Sequence, residues 1–281
     1  MAFETTHPEV LDAVCRALAE DVGSGDVTSR LTVPLATRAE GGFFAKEELI
    51  LAGVEILPVI YEQVGGVEKI VIDLPSGTRV PAGIRVAQVR GPARALLMAE
   101  RTALNFMQRL SGIATLARRF VDATAGTKCK VLDTRKTSPG LRRLEKMAAA
   151  AGGVTNHRMG LFDAILIKNN HIAAAGGVKK ALRLAKGHGM EVEIEVRTLD
   201  QLDEALAGGA DRVLLDNLSP EEARRWIERV NGRAKVEISG GVTLETVRAY
   251  AETGADFVSS GAITHSARAM DLNFLLRLLP Q

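Results

Sequence analysis

Six places in the second half of the chain set a polar or charged group at or just beyond the end of a short apolar run. In order they are Arg135 and Lys136 after KVLDT, Lys168 closing AILIK, Glu195 in VEIEV, Asp216 closing RVLLD, Ser239-Gly240-Gly241 after VEI, and Ser260-Gly261 after DFVS. Cations come first, carboxylates second and glycine loops last. Guanidinium and ammonium groups recognise carboxylates and phosphates. A pair of carboxylates suits a hard divalent cation such as Mg2+, and glycines let backbone amides approach a phosphate. The set fits one polyanionic ligand held at three points: its carboxylates by the cations, its pyrophosphate through a divalent metal on Glu195 and Asp216, and its sugar phosphate by the glycine loops.

Each element also has a plainer explanation. An SGG ahead of a helix is common in βα proteins, and Glu195 and Asp216 are also candidates for ion pairs with nearby lysines and arginines. Glu193 points to the same side of its strand as Glu195 and competes for the metal role. Arg142, Arg143 and Lys146 read as a solvated helix face, His157 and Arg158 as a loop pair, and His171 as a hydrogen-bonding residue. Co-occurrence favours the functional reading, because every strand end in this half carries a group suited to the same ligand.

The elements that would position these groups follow from the pattern of apolar runs. Strands are expected at Lys130–Thr134, Ala164–Lys168, Val192–Val196, Arg212–Asp216, Val236–Ser239 and Asp256–Ser260, separated by intervals that suit one helix each. This is the signature of βα units on a parallel sheet, closed most simply as a barrel with its chemistry at the carboxyl ends of the strands. Helices are expected from Ser138-Pro139 to Gly152-Gly153, from Ser219-Pro220 to Gly232, and from Thr243 onward, the last adding its positive end to the phosphate site. The first half reads as an α+β domain. It has a helix near Pro8 to Glu20, strands around FFAKEELILAG and KIVIDLPSGTRV, and a turn at Pro75-Ser76-Gly77. A long helical stretch from Arg94 to Ala123, interrupted near Ser111-Gly112, joins the halves. The expected domains are therefore residues 1–111, with 270–281 returning to them, and residues 112–269.

Composition narrows the function classes. A net charge of +2 without a basic arm argues against nucleic acid and for a small anion. Cys15 and Cys129 lack disulfide or zinc spacing and read as buried small residues. MAFETTHPEV lacks the pattern of a leader, and no run is apolar enough to span a bilayer, so a cytoplasmic location is expected.

DTRKTSPGLRRLEK (133–146) resembles the hallmark of the quinolinate phosphoribosyltransferase family. So do, in the family's order, NHRMGLFDAILIKNNHI from Asn156, VEIEV, VLLDN from Val213, EISGGV from Glu237 and GAITHSA from Gly261. EDVGSGDVTS at Glu20 and ERTALNFMQRLSGIAT at Glu100 extend the resemblance into the first half. It implies an N-terminal α/β sandwich and an incomplete, open α/β barrel in a homodimer, or a hexamer built as a trimer of dimers, without membrane or nucleic-acid partners. The implied reaction joins quinolinate to phosphoribosyl pyrophosphate with loss of CO2, in NAD biosynthesis. Arg101 would reach the neighbouring subunit's site, and Thr134, Arg135, His157, Arg158 and Lys168 would surround quinolinate. Lys136 would lie between the substrates, Glu195 and Asp216 would meet ribose and magnesium pyrophosphate, and Ser239, Gly240, Gly241, Ser260 and Gly261 would hold the 5-phosphate. Two positions depart from the family pattern: Asn169, where an acidic residue is common, and Arg268, where proline is usual. Other readings are a nicotinate-specific enzyme or a transport-operon paralogue of the same fold, a Schiff-base aldolase using Lys168, and a phosphosugar sensor.

Overall fold

The computed structural model describes residues 4–280; residues 1–3, which open the stretch read for a leader, and 281 lie outside it. Among the described residues twelve strands are formed. Those of the first half are β1 (Arg38–Ala45), β2 (Leu49–Ile50), β3 (Lys69–Ile72), β4 (Arg79–Val80) and β5 (Arg85–Pro92). Those of the second half are β6 (Lys130–Leu132), β7 (Ile165–Ile167), β8 (Val192–Val196), β9 (Arg212–Asp216), β10 (Lys235–Ser239), β11 (Phe257–Ser259) and β12 (Leu272–Leu278).

Two compact units result. The first holds the chain up to Arg118, Thr137–Gly153 and everything from Ser266; the second holds Arg119–Lys136 and Val154–His265. The expected split at 111/112 falls inside one continuous helix, Ala93–Ala123. Ser111 and Gly112 do not interrupt it. Ser111 is fully buried and its hydroxyl accepts from the Ala52 N–H at 3.0 Å. A Cβ on Gly112 would come within 1.9 Å of the Arg268 carbonyl oxygen, so this glycine answers to close packing. The expected helix from Ser138 begins only at Arg142. Ser138 turns to Glu145 instead, its hydroxyl donating at 2.7 Å to a carboxylate that Arg109 also meets at 2.8 Å. Glu145 and Lys146 are fully buried, so Lys146 is no part of a solvated face.

The first unit is built on an antiparallel sheet, β12-β1-β5-β3, in which β12 pairs with β1 from Ala39↔Leu278 to Ala45↔Leu272. The closing segment thus returns to the first half. Arg268 contributes, its Nη1 meeting Glu47 at 2.8 Å, while Glu47 also accepts from the Asp271 N–H. Cys15 is exposed rather than buried, whereas Cys129 is buried as expected.

The second unit carries the six expected strands as one all-parallel sheet, β6-β11-β10-β9-β8-β7, whose end strands β6 and β7 do not pair. This is the open barrel-like architecture. Helices follow the strands for local reasons: Pro220–Val230 starts on a Ser219/Glu222 capping box with Pro220 in its first turn. It stops at Asn231, whose left-handed φ of 47° ends it one residue before Gly232. Along β8, Val192, Ile194 and Val196 join the apolar layer with Leu182, Leu202 and Leu206. The alternating Glu193 and Glu195 occupy the other face, buried as well. Among the described residues no helix is long and apolar enough to cross a membrane.

Arginine 268 yields an acid signature. Its guanidinium and the Asp271 N–H lower the Glu47 pKa from 4.5 to about 2. A depressed carboxylate pKa gives stability that is present above pH 4.5 and lost as pH falls towards 2. Arg268→Ala should weaken that dependence in urea titrations between these limits, leaving the part due to the Asp271 N–H, at a cost of about 1 kcal/mol or less because the pair is partly exposed.

Candidate active site

The cationic cluster begins with a buried anion. Asp133, fully buried just after β6, accepts from the His157 backbone N–H and from the Asn156 side-chain amide, both at 2.7 Å. A bridge between Leu132 and Thr155 adds a backbone tie. The DTR and NHR motifs, some twenty residues apart, are thereby drawn to one strand end. Arg135 and Arg158 lie close enough that burial, first, and then the charge of Arg135 hold the Arg158 guanidinium below its ordinary pKa. Two like charges in a partly desolvated place are relieved by a dianion. Thr134 turns its hydroxyl back to the Lys136 N–H at 3.1 Å, and Lys136 itself is exposed. The Lys136 carbonyl accepts from the buried Thr264 hydroxyl at 2.8 Å, while its aliphatic stem lies over Gly261, where a Cβ would come within 2.7 Å.

His157 faces inward. Its Nε2 lies 3.2 Å from Glu193 and 3.5 Å from Glu237, and its Nδ1 accepts from the Arg158 N–H at 2.7 Å. Burial opposes a second proton, but the two carboxylates outweigh it and raise the ring's pKa to about 9. The Arg158 amide demands the opposite, a lone pair on Nδ1. We assign the Nε2–H tautomer, because a second proton at Nδ1 would face the covalently fixed Arg158 N–H. Arg212 completes this group, 3.3 Å from Glu237 and stacked 4.2 Å from the Phe257 ring centre. Burial lifts Glu193 to about 7. His157, Glu193 and Glu237 have metal-ligand spacing, yet Arg212 already supplies their cation. Glu193, which competes with Glu195 for the metal in the sequence, is engaged here.

Glu195 and Asp216 end adjacent strands, and a residue absent from the sequence-based set joins them. Arg197 Nη2 lies 3.0 Å from Glu195 Oε1 and 2.8 Å from Asp216 Oδ2. Both carboxylates therefore meet one guanidinium nitrogen, and an acidic pair of oxygen donors of this kind suits a hard divalent cation. Asn169 donates to Glu195 Oε1 at 2.6 Å, and Lys168 Nζ lies 3.8 Å from Oε2. The Lys168 N–H donates to His171 Nδ1 at 2.9 Å, giving that histidine its expected hydrogen-bonding role.

The glycine loops differ from expectation in one respect. The helix after Thr243 starts only at Val247 and runs to Ala251, too short to lend a useful positive end. Gly240 and Gly241 both adopt left-handed φ, 91° and 64°. Gly240 also makes room for Asn217, itself left-handed, whose amide oxygen would lie 2.4 Å from a Cβ there. Asn217 N–H donates to the Ser239 carbonyl at 2.9 Å, linking the Asp216 and Ser239 strand ends. Ser260 is buried and donates to the Val242 carbonyl at 2.7 Å. His265 rests its ring against Gly261, 3.1 Å from a Cβ placed there. Spacing alone does not reveal Arg197, Asn217 or His265, because each acts across a strand end or a turn. Arg101 belongs to the other unit and stands exposed on Ala93–Ala123. A cavity of about 380 Å3 lined by Lys128, Lys235 and Asp256 opens at the amino ends of the strands, opposite these groups.

Residues 26–111 match the N-terminal domain, and residues 113–275 the C-terminal domain, of quinolinate phosphoribosyl transferase. The chain belongs to the quinolinate phosphoribosyltransferase family. It is 44% identical to the chloroplastic nicotinate-nucleotide pyrophosphorylase [carboxylating] of Arabidopsis thaliana, over 95% of this chain and 83% of that one. It is 42% identical to the Mycobacterium leprae protein of the same name, over 93% and 95%. Among solved structures, the nicotinate-nucleotide pyrophosphorylase of Francisella tularensis superposes with a TM-score of 0.92 at 39% identity, covering 97% of this chain and 98% of that one. The family match supports a phosphoribosyltransferase and not the aldolase or sensor readings.

Asp133 offers a direct test of how the cationic cluster is assembled. Asp133→Ala leaves the His157 N–H and the Asn156 amide without their buried acceptor, a loss of about 1–3 kcal/mol for each unsatisfied group. Denaturant titration should register that loss, and Asp133→Asn, which retains one acceptor oxygen, should recover part of it.

Proposed function

We propose that this chain is a decarboxylating quinolinate phosphoribosyltransferase, forming nicotinate mononucleotide, CO2 and pyrophosphate from quinolinate and phosphoribosyl pyrophosphate. The observation that carries the reading is the convergence, at the carboxyl ends of one parallel sheet, of Arg135 and Arg158 on one side and Glu195 and Asp216 on the other. The first pair suits a dicarboxylate. The second suits an electron-poor sugar carbon with its metal-bound leaving group.

The pyridine nitrogen is already nucleophilic, so the reaction needs no general base. Arg135, Arg158 and Lys168 hold the two carboxylates and aim the nitrogen at the anomeric carbon. His157 fixes the Arg158 backbone through its Nδ1. As the C–N bond forms, the C–O bond to pyrophosphate breaks and its electron pair leaves with the pyrophosphate oxygen. Lys136 neutralises that oxygen, and the Glu195 and Asp216 carboxylates favour the cationic ribose, the preorganised electrostatics that dominate such reactions. Glu195 and Asp216 would hold Mg2+, which would supply further neutralisation of the leaving group. The ring nitrogen of the adduct is positive, so the pair released from the bond to the adjacent carboxylate enters the ring as CO2 departs, and a solvent proton completes the ring C–H bond. Gly240, Gly241, Ser239, Ser260 and Gly261 form the sugar-phosphate end of the site, with His265 beside them. A site with charges for two carboxylates leaves one set unmatched by nicotinate, which sets the specificity.

The direct test is turnover of quinolinate with phosphoribosyl pyrophosphate and Mg2+, following nicotinate mononucleotide and CO2, with nicotinate in parallel. Product from quinolinate alone is expected; product from nicotinate would assign a sister activity, and none from either would overturn the enzymatic reading.

Two exposures support a shared-site assembly. Arg101 is exposed on its helix, and Leu161 and Phe162 stand 73% and 74% exposed in the loop that follows Arg158. In the homodimer proposed here a second copy covers that apolar pair and inserts its Arg101 against a quinolinate carboxylate. Mixing inactive Arg101→Ala with inactive Lys168→Ala subunits should then restore about a quarter of wild-type sites, since half of randomly paired dimers hold one intact site. No recovery after verified exchange would rule out a shared site.

A further inference from the structure

We infer that Arg197 is the resident counter-ion of the metal site, holding Glu195 and Asp216 together until a divalent cation displaces it. This rests on the proposed assignment of those carboxylates to magnesium pyrophosphate. One nitrogen of the guanidinium, Nη2, touches both, at 3.0 Å and 2.8 Å. Without a cation between them, two largely desolvated carboxylates on neighbouring strands would repel. Glu195 and Asp216 are largely buried, with side chains 6% and 14% exposed, whereas the Arg197 side chain is 56% exposed. The carboxylates are thus held in place while the guanidinium has room to leave.

Its backbone does not leave with it. The Arg197 N–H donates to Gln201 Oε1 at 2.8 Å at the start of Leu199–Ala207, so only the side chain swings. Two further contacts keep Glu195 oriented when it does: the Asn169 amide at 2.6 Å and Lys168 Nζ at 3.8 Å. Asn169 matters because an acidic residue at that position would add a third negative charge instead of a donor. With Lys168 and Arg197 against Glu195 and Asp216, the local formal charge already sums to zero. A site balanced in this way has little pull on a free divalent cation, because binding must first break two charge-assisted contacts. It accepts the cation readily when pyrophosphate arrives with it, since the displaced guanidinium then has phosphate oxygens to bind. Arg197 is therefore a positioning residue that makes the enzyme take magnesium as its pyrophosphate complex.

The test is Mn2+ binding to the substrate-free, full-length protein, followed by electron paramagnetic resonance of the free ion. Arg197→Gln should bind Mn2+ about tenfold more tightly than wild type, the scale of removing one competing charge from a partly exposed site. Arg197→Lys, which keeps the charge, should stay near the wild-type value, and Glu195→Gln in the Arg197→Gln background should abolish the gain. Unchanged or weaker binding in Arg197→Gln overturns the inference. Should that variant fail to fold, phenylglyoxal labelling of Arg197 in the wild-type chain, read by peptide mass, is expected to rise on adding Mg2+ to saturation, and an unchanged rate overturns the inference equally. The quinolinate assay separates the two readings. Turnover without a metal-affinity change sinks the counter-ion and leaves the enzyme, while tighter Mn2+ binding without turnover keeps the counter-ion and sinks the enzyme.

Discussion

A charged side chain buried beside a parallel sheet must have its charge answered, and most of the architecture of the second unit follows from that constraint. Burying an unpaired ion costs several kcal/mol, so each ionisable group near the strand ends brings a partner. Asp133 is answered by two donors from the loop around His157. Glu193 and Glu237 are answered by His157 and Arg212. Glu195 and Asp216 are answered by Arg197. These pairings join β6 to the following loop, β8 to β9, and β9 to β10, and so brace the strand ends where a ligand is to be held.

The same constraint accounts for a charged network inside the second unit. Barrel interiors are ordinarily filled by branched apolar residues, yet here Glu193, Arg212 and Glu237 lie together inside, with the Phe257 ring over the guanidinium. Such a network rewards rigidity only when its members are paired. Its outlet is His157, whose other ring nitrogen receives the Arg158 N–H. The Arg158 backbone is thereby tied to Glu193 and Glu237 through the His157 ring. Beside this network stand the cations Arg135, Arg158, Lys136 and Lys168, of which Lys168 faces Glu195 at 3.8 Å.

Glycine serves two separate physical needs around the site. Gly240 combines a left-handed backbone with lack of space, since the Asn217 amide occupies the volume of its missing Cβ. Gly261 admits the Lys136 stem and the His265 ring. Gly241 has open space around it and answers to backbone conformation alone. A glycine-rich loop read only as a phosphate cradle would miss that two of these three also make room for side chains that shape the site.

The amino-acid sequence by itself determined the six parallel strands, their order and the cation, carboxylate and glycine groups at their ends, because alternation of apolar residues, caps such as Ser219-Pro220 and strand-end chemistry are local properties. It also carried the family motifs over nearly the whole chain. Tertiary structure decided what depends on distant neighbours. Ser111-Gly112 reads as a helix break until the Arg268 carbonyl is seen packed against Gly112. Ser138 reads as a cap until buried Glu145 captures it. Lys146 reads as solvated until its helix is seen to bury it. Strand β5 carries weak apolar alternation and is fixed by its pairing with β1 and β3. Arg197 lies one residue beyond its strand and gains a role only because the pairing of β8 with β9, Glu195 opposite Leu214, leaves both Glu195 and Asp216 within its reach. Local pattern is read from a few adjacent residues, whereas a charge's partner is chosen by the fold, and for that reason the partners were the part the sequence left unassigned.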